Sequence, residues 1–112
     1  MSADAFHVCY GLRWNVNSEN EDEITLLEDR HDPRQLAAKR NKLDCWWGVT
    51  TDERVYFVLV GKRIAGFGWE GKHDLQMVHD ELTRIAEDTK QKLRSAGFQD
   101  EPAWHYQFEP DY

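Results

Sequence analysis

Residues 54–60 read Arg54-Val55-Tyr56-Phe57-Val58-Leu59-Val60. Every position after Arg54 is apolar, so an extended chain here carries Val55, Phe57 and Leu59 on one side and Tyr56, Val58 and Val60 on the other. Side chains alternate across a strand. A strand that is apolar on both sides belongs in the interior of a sheet. Before it, residues 45–50 predict a neighbouring strand, joined through a turn at Thr51-Asp52-Glu53. After it, Gly61-Lys62-Arg63 reads as a second tight turn into a strand over residues 64–70. Short Gly-containing links between apolar runs make antiparallel hairpins, so the middle of the chain is expected to be a β meander.

The flanks complete the pattern. In residues 6–16, Phe6, Val8, Tyr10, Leu12, Trp14 and Val16 point one way, and His7, Cys9, Arg13 and Asn15 the other. That period of two predicts a strand with one face on a core. Residues 104–109 alternate likewise, Trp104, Tyr106 and Phe108 against His105, Gln107 and Glu109. Ser18 and Glu21 can form a capping box that opens a short helix burying Ile24 and Leu27; a strand through Ile24 and Leu26 is the competing reading. Asp32 is a candidate N-cap, with Pro33 at the first helical position and Gln35 as its box partner. Lys39, Arg40 and Lys42 then suit the negative pole of the helix dipole. The longest helix is expected over residues 75–96, capped by Asp74, with Leu75, Val78, Leu82, Ile85, Thr89 and Leu93 as its apolar stripe. Gly97 ends it, and Phe98 is placed to pack back on Leu93 in a Schellman arrangement.

Strand, helical segment, three strands, long helix, strand: this order predicts an α+β fold. A mostly antiparallel sheet of four to five strands carries two helical segments on one face, as a two-layer sandwich of one domain spanning residues 1–112. The first and last strands are candidate neighbours. The sheet face away from the helices is expected to carry the polar partners of the alternating strands.

At 112 residues, the chain can bury roughly two-thirds of its unfolded surface and needs no staple. With 40% hydrophobic and 31% charged residues it reads as a water-soluble globular protein rather than a disordered one. The net charge of −7 makes duplex nucleic acid an unsuitable partner. No stretch reaches membrane-spanning length. Met1-Ser2-Ala3-Asp4-Ala5 has neither the basic start nor the apolar run of a signal peptide. The expected location is therefore the cytoplasm, with Cys9 and Cys45 as free thiols.

Two constellations carry a suggestion of chemistry. Gly66-Phe67-Gly68-Trp69-Glu70-Gly71 matches G-x-G-x-x-G, which in a dinucleotide-binding unit lets a backbone approach a pyrophosphate. Here the preceding strand lies in an antiparallel meander, and no acidic residue follows on a second parallel strand. The glycines therefore read as strand glycines beside an aromatic, and no cofactor is expected. His7 and Cys9 share one face of the first strand. If the last strand pairs with it, His105 joins them as a candidate metal or Cys–His site, set against the plainer reading of a solvated polar face. His73 and His79 are too far apart in register to share a helix face, and His31 reads as a helix-entry residue.

The remaining signals point to binding. Trp46 and Trp47 are consecutive and must face opposite sides of their strand. One can enter the core; the other, with Trp69 and beside Arg54 or Arg63, would make a recognition surface. The acidic run of residues 19–32, with Glu21, Asp22 and Glu23 foremost, is either a solvated face or a dock for a basic partner. Three readings stay open. The first is a non-catalytic module that binds a protein or small molecule through aromatic residues of the sheet. The second is a small metal- or thiol-dependent enzyme using His7, Cys9 and His105. The third is an acidic inhibitor or immunity-type protein. An edge strand could also support a homodimer.

Overall fold

A computed structural model describes residues 5–49, 55–68 and 71–109. Four strands, β1 (Ala5–Val16), β2 (Asp44–Val49), β3 (Tyr56–Gly68) and β4 (Ala103–Glu109), form one antiparallel sheet in the order β2-β3-β1-β4. Three helices complete the chain: α1 (Glu21–Glu28), α2 (Pro33–Arg40) and α3 (His79–Ser95). The fold is α+β, and the two-layer arrangement follows from how its sides are filled. Leu12 and Val16 of β1 and Val58 and Val60 of β3 share one face. They pack with Ile24 and Leu27 of α1, Ala38 of α2 and Leu93 of α3. The segment over residues 56–60 is interior to the sheet, as its two apolar faces require, and β1 and β4 are neighbours.

The meander is simpler than expected. Gly61-Lys62-Arg63 does not turn the chain: β3 runs on through it for 13 residues in all. The reason lies across the ladder. β1 extends over 12 residues, and residues 61–68 gain partners from Gly11 back to Ala5 by continuing straight. Gly11 faces Gly61, where the strands run so close that a Cβ on Gly11 would stand 2.8 Å from the Cα of Gly61. Two glycines facing each other thus mark a close approach rather than a reversal. A bulge follows, since Val8 pairs Ala65 while Cys9 pairs Arg63, which leaves Ile64 as the extra residue of β3. The turn expected at residues 51–53 lies outside the described residues.

The helix ends show which local signals were read correctly. Asp32 caps α2 as a capping box: Oδ1 accepts from the backbone N–H of Arg34 at 2.9 Å, and the N–H of Asp32 donates to Gln35 Oε1 at 3.1 Å. Segment 21–28 is helical and buries Ile24 and Leu27, but its cap is Asn20, not Ser18; Asn20 Oδ1 accepts from the N–H of Glu23 at 3.2 Å. α3 ends as a Schellman motif, with Phe98 N–H donating to Leu93 O and Gly97 N–H to Arg94 O, both at 3.0 Å. Its start is four residues later than expected, at His79 after Val78, and Asp74 caps nothing. Residues 74–78 are irregular. Leu75 and Met77, two apart as in extended chain, both reach a shallow groove against Val8, Ile64, Trp104 and Tyr106 that a helical path would leave bare.

The sheet face away from the helices is not simply polar. Cys9, Phe57 and Leu59 are fully buried there, with Trp46 packed against them. The Arg13 guanidinium lies 5.3 Å from the centre of the Phe57 ring. Among the described residues no helix is long and apolar enough to cross a membrane.

Candidate functional site

β2 is an edge strand of six residues, paired among the described residues only with β3. Because side chains alternate, Trp47 turns toward the helices, where its ring stacks on Tyr56 at 5.9 Å. Trp46 turns to the other face, against the cluster of Cys9, Phe57 and Leu59. Each Trp is half-buried. Large rings on both sides of a free strand edge are hard to cover completely in a small sheet, and here a groove opens on each side.

On the helix side, a groove of about 770 Å³ is lined by Asp29, Arg30, His31 and the residues Gln35, Leu36 and Lys39 of α2, with Leu43, Cys45, Trp46 and Trp47 as its opposite wall. Its shape depends on local backbone chemistry. α1 and α2 each end in a residue with positive φ, Arg30 at 61° and Lys42 at 58°. These turns are closed by His31 N–H on Leu26 O at 2.8 Å and Leu43 N–H on Ala38 O at 2.9 Å. They are the same kind of ending that glycine usually supplies. The first throws Arg30 and His31 to the mouth of the groove, and the second leads straight into β2.

On the far side, a groove of about 550 Å³ is lined by His7, Asp44, Arg63, Ile64 and Ala65 together with Cys45, Trp46 and Trp47. The β3 bulge shapes it. Arg63 N–H donates to Asp44 Oδ2 at 2.8 Å, and the Arg63 guanidinium lies 3.3 Å from His7 Nδ1. The His7 ring stands 6.0 Å from the ring of Trp46. The indole N–H of Trp46 is buried and has no hydrogen-bond acceptor among the described residues. Across the two grooves, Arg30, Lys39 and Arg63 stand against Asp29 and Asp44, so the site is locally cationic in an acidic chain.

Of the residues read from the sequence, Trp46, Trp47 and Arg63 are thus brought together, while Arg54 and Trp69 lie outside the described residues. Cys9 and His105 do face one another across the β1–β4 ladder, with His7 opposite Gln107. Their chemistry is committed elsewhere. His105 Nε2 lies 3.0 Å from the carbonyl of Gly11. The Cys9 thiol is pushed up to about 12 by burial, with Asp44 adding to the effect. Cys45 is pushed up to about 11, again by burial, with Asp32 adding to it. Thiols held protonated at neutral pH are poor nucleophiles and poor metal ligands. Among the described residues no three His, Cys, Asp or Glu side chains gather closely enough to hold a metal ion.

Glu21 and Asp22 are exposed in the first turn of α1. Glu23 instead turns to Arg34, 2.7 Å away. Arg34 also pairs with the buried Asp32 at 2.8 Å, and its guanidinium lies 5.4 Å from the Trp14 ring. Sequence reasoning missed Arg30, Lys39 and Leu36 as parts of a site. Lys39 was legible as a helix-end charge, but nothing in the pattern said that α2 would lie beside the edge of β2. Compared with protein-family models, curated proteins and solved structures, the chain matches none.

Proposed function

We propose that the protein is a non-catalytic recognition module that takes an extended, acidic segment of a partner protein along the free edge of β2. The observation that carries this is the pair of grooves flanking the outer edge of β2, where no strand pairs among the described residues, and sharing Trp46 and Trp47. An added strand forms main-chain hydrogen bonds with the edge, and its side chains alternate between the two sides. A groove on each side therefore receives alternate residues of the same segment. Half-buried indoles supply apolar contact with little loss of conformational freedom. Arg30, Lys39 and Arg63 favour carboxylates on the incoming chain and repel basic ones. The protonated thiols and the backbone-bound His105 favour binding over a thiol-dependent reaction.

Selection from a random-peptide library on the full-length protein tests this. The expected winners alternate apolar residues with Asp or Glu and bind in the micromolar range. Trp47→Ala weakens them at least tenfold, about 1.4 kcal/mol. Lys39→Glu weakens acidic winners more than neutral ones. Peptides that bind the Trp46→Ala and Trp47→Ala variants as well as the wild type would sink the reading, as would a selection that enriches nothing above background.

A further inference from the structure

The opposite edge of the sheet carries a different surface. β4 ends the strand order, and among the described residues no strand pairs with its outer side. Natural edge strands are usually blunted by Lys, Pro, inward charges or a bulge. β4 reads Ala103-Trp104-His105-Tyr106-Gln107-Phe108-Glu109, with no Lys, Arg or Pro and one terminal acid. Its pairing with β1 is regular throughout.

The helix-side face at this edge is apolar and open. Phe6 pairs with Phe108, and Val8 with Tyr106, so all four side chains share a face. Phe6 is 37%, Phe108 50% and Tyr106 67% exposed. The rings of Phe6 and Tyr106 stack at 6.0 Å. Leu75, 42% exposed, lines the adjoining groove with Tyr106. The three aromatic rings alone leave about 300 Å² uncovered, at roughly 200 Å² for a whole aromatic side chain. A standard interface takes about 800 Å² from each partner, and Leu75 and the backbone edge add to the aromatic part.

We propose that β4 pairs antiparallel with β4 of a second copy, joining two four-stranded sheets into one about a twofold axis. A strand meets its own copy in an isologous contact, where each residue's partner is set by the centre of symmetry. Centred on Tyr106, the register uses the whole strand: Tyr106 faces itself, Trp104 faces Phe108, His105 faces Gln107, and Ala103 faces Glu109. No charged residue of β4 then meets its own copy. The helix-side seam is aromatic along its length. On the other face, His105 is already held by Gly11 O and Gln107 Oε1 by the Nε–H of Arg13 at 2.8 Å. The carbonyl of Phe108 accepts from the Gln107 side-chain amide at 3.0 Å, a local bond that an incoming strand's N–H replaces. A second copy is the occupant the surface fits, because the largely apolar edge is self-complementary: centred on Tyr106, its aromatic residues face aromatic residues and its one acid, Glu109, faces Ala103.

Sedimentation velocity on the full chain, from micromolar to hundreds of micromolar, tests the proposal. The expected result is a concentration-dependent monomer–dimer equilibrium. Tyr106→Lys raises its dissociation constant at least tenfold without lowering the melting temperature, since Tyr106 is an exposed residue. Trp47→Lys, on the opposite edge, leaves it unchanged. As a check that does not rest on loss of binding, Tyr106→Cys should cross-link to its own copy under mild oxidation. Directly paired residues stand about 4.5–5.5 Å apart at Cα, within disulfide reach, whereas the wild type, with Cys9 buried and Cys45 half-buried, should not cross-link. A wild type that stays monomeric throughout would overturn the proposal. So would a dimer that survives Tyr106→Lys or is dissolved by Trp47→Lys.

Discussion

Trp46 holds a buried indole N–H with no acceptor among the described residues. Leaving such a donor unsatisfied costs about 1–3 kcal/mol. That N–H is closed off from the surface, so the cost falls on the fold, and in the recognition reading it is the indole body lining both grooves that meets the incoming segment. Trp46→Phe keeps most of the ring and removes the donor. The expected outcome is unchanged or higher stability, by up to about 1 kcal/mol, together with peptide binding weakened several-fold. Chemical denaturation and a binding isotherm on the same variant measure both. A variant that loses stability and keeps affinity would show that the N–H serves the fold. The sequence placed the two tryptophans on opposite faces through simple alternation. It could not place the orphan N–H, because that depends on which strand becomes an edge.

The elements were legible where the signal is local, and misread where a distant partner decides. Asp32-Pro33 with Gln35, and Gly97-Phe98, are complete within a few residues, and these two ends, the start of α2 and the end of α3, formed as read. Gly61-Lys62-Arg63 has the composition of a turn, yet β1 outcompetes the turn by offering an uninterrupted ladder. Two helix ends carry L-residues in the left-handed region, Arg30 and Lys42. A side chain there costs about 1 kcal/mol relative to a compatible backbone. Lys42→Gly therefore relieves strain, offset in part by the extra freedom glycine has when unfolded. The net expectation is a gain of about 0.5 kcal/mol, read as a melting temperature raised by a few degrees. A lowered melting temperature would show that the Lys42 side chain contributes more than its backbone costs. Lys42 rather than Arg30 is the clean test, because Arg30 lines the groove.

At the scale of the whole molecule, three helices pack on one face of a single sheet whose outer strands are β2 and β4. The link that ties α1, α2 and β1 together is ionic. Burial by itself raises the Asp32 carboxyl, but the hydrogen bonds and positive charge of Arg34 outweigh it, and the net shift is downward. A depressed folded-state value contributes stability that is present above the ordinary Asp value of about 3.9 and is lost as pH falls through the folded one. Acid unfolding of the wild type is thus expected to steepen below about pH 4. Asp32→Asn, which keeps the shape but not the charge, should be less stable at neutral pH and should lose less stability over that acid range. Equal acid slopes for the two proteins would show that Asp32 carries no linked stability. The overall layering was legible because the apolar periods of strands and helices were clear. The site was legible only in half, its β2 side, because the α2 side depends on how a short, weakly amphipathic helix settles against an edge.

If β2 is the recognition edge, its backbone amides report the arrival of a bound segment. Amide chemical-shift mapping of the full chain, titrated with a library-selected acidic peptide, tests it most directly. The account predicts the largest shifts along Asp44–Val49 and across the groove at residues 30–39, with Ala103–Glu109 unmoved. Shifts centred on Ala103–Glu109, or on Glu21 and Asp22, with β2 silent, would contradict it.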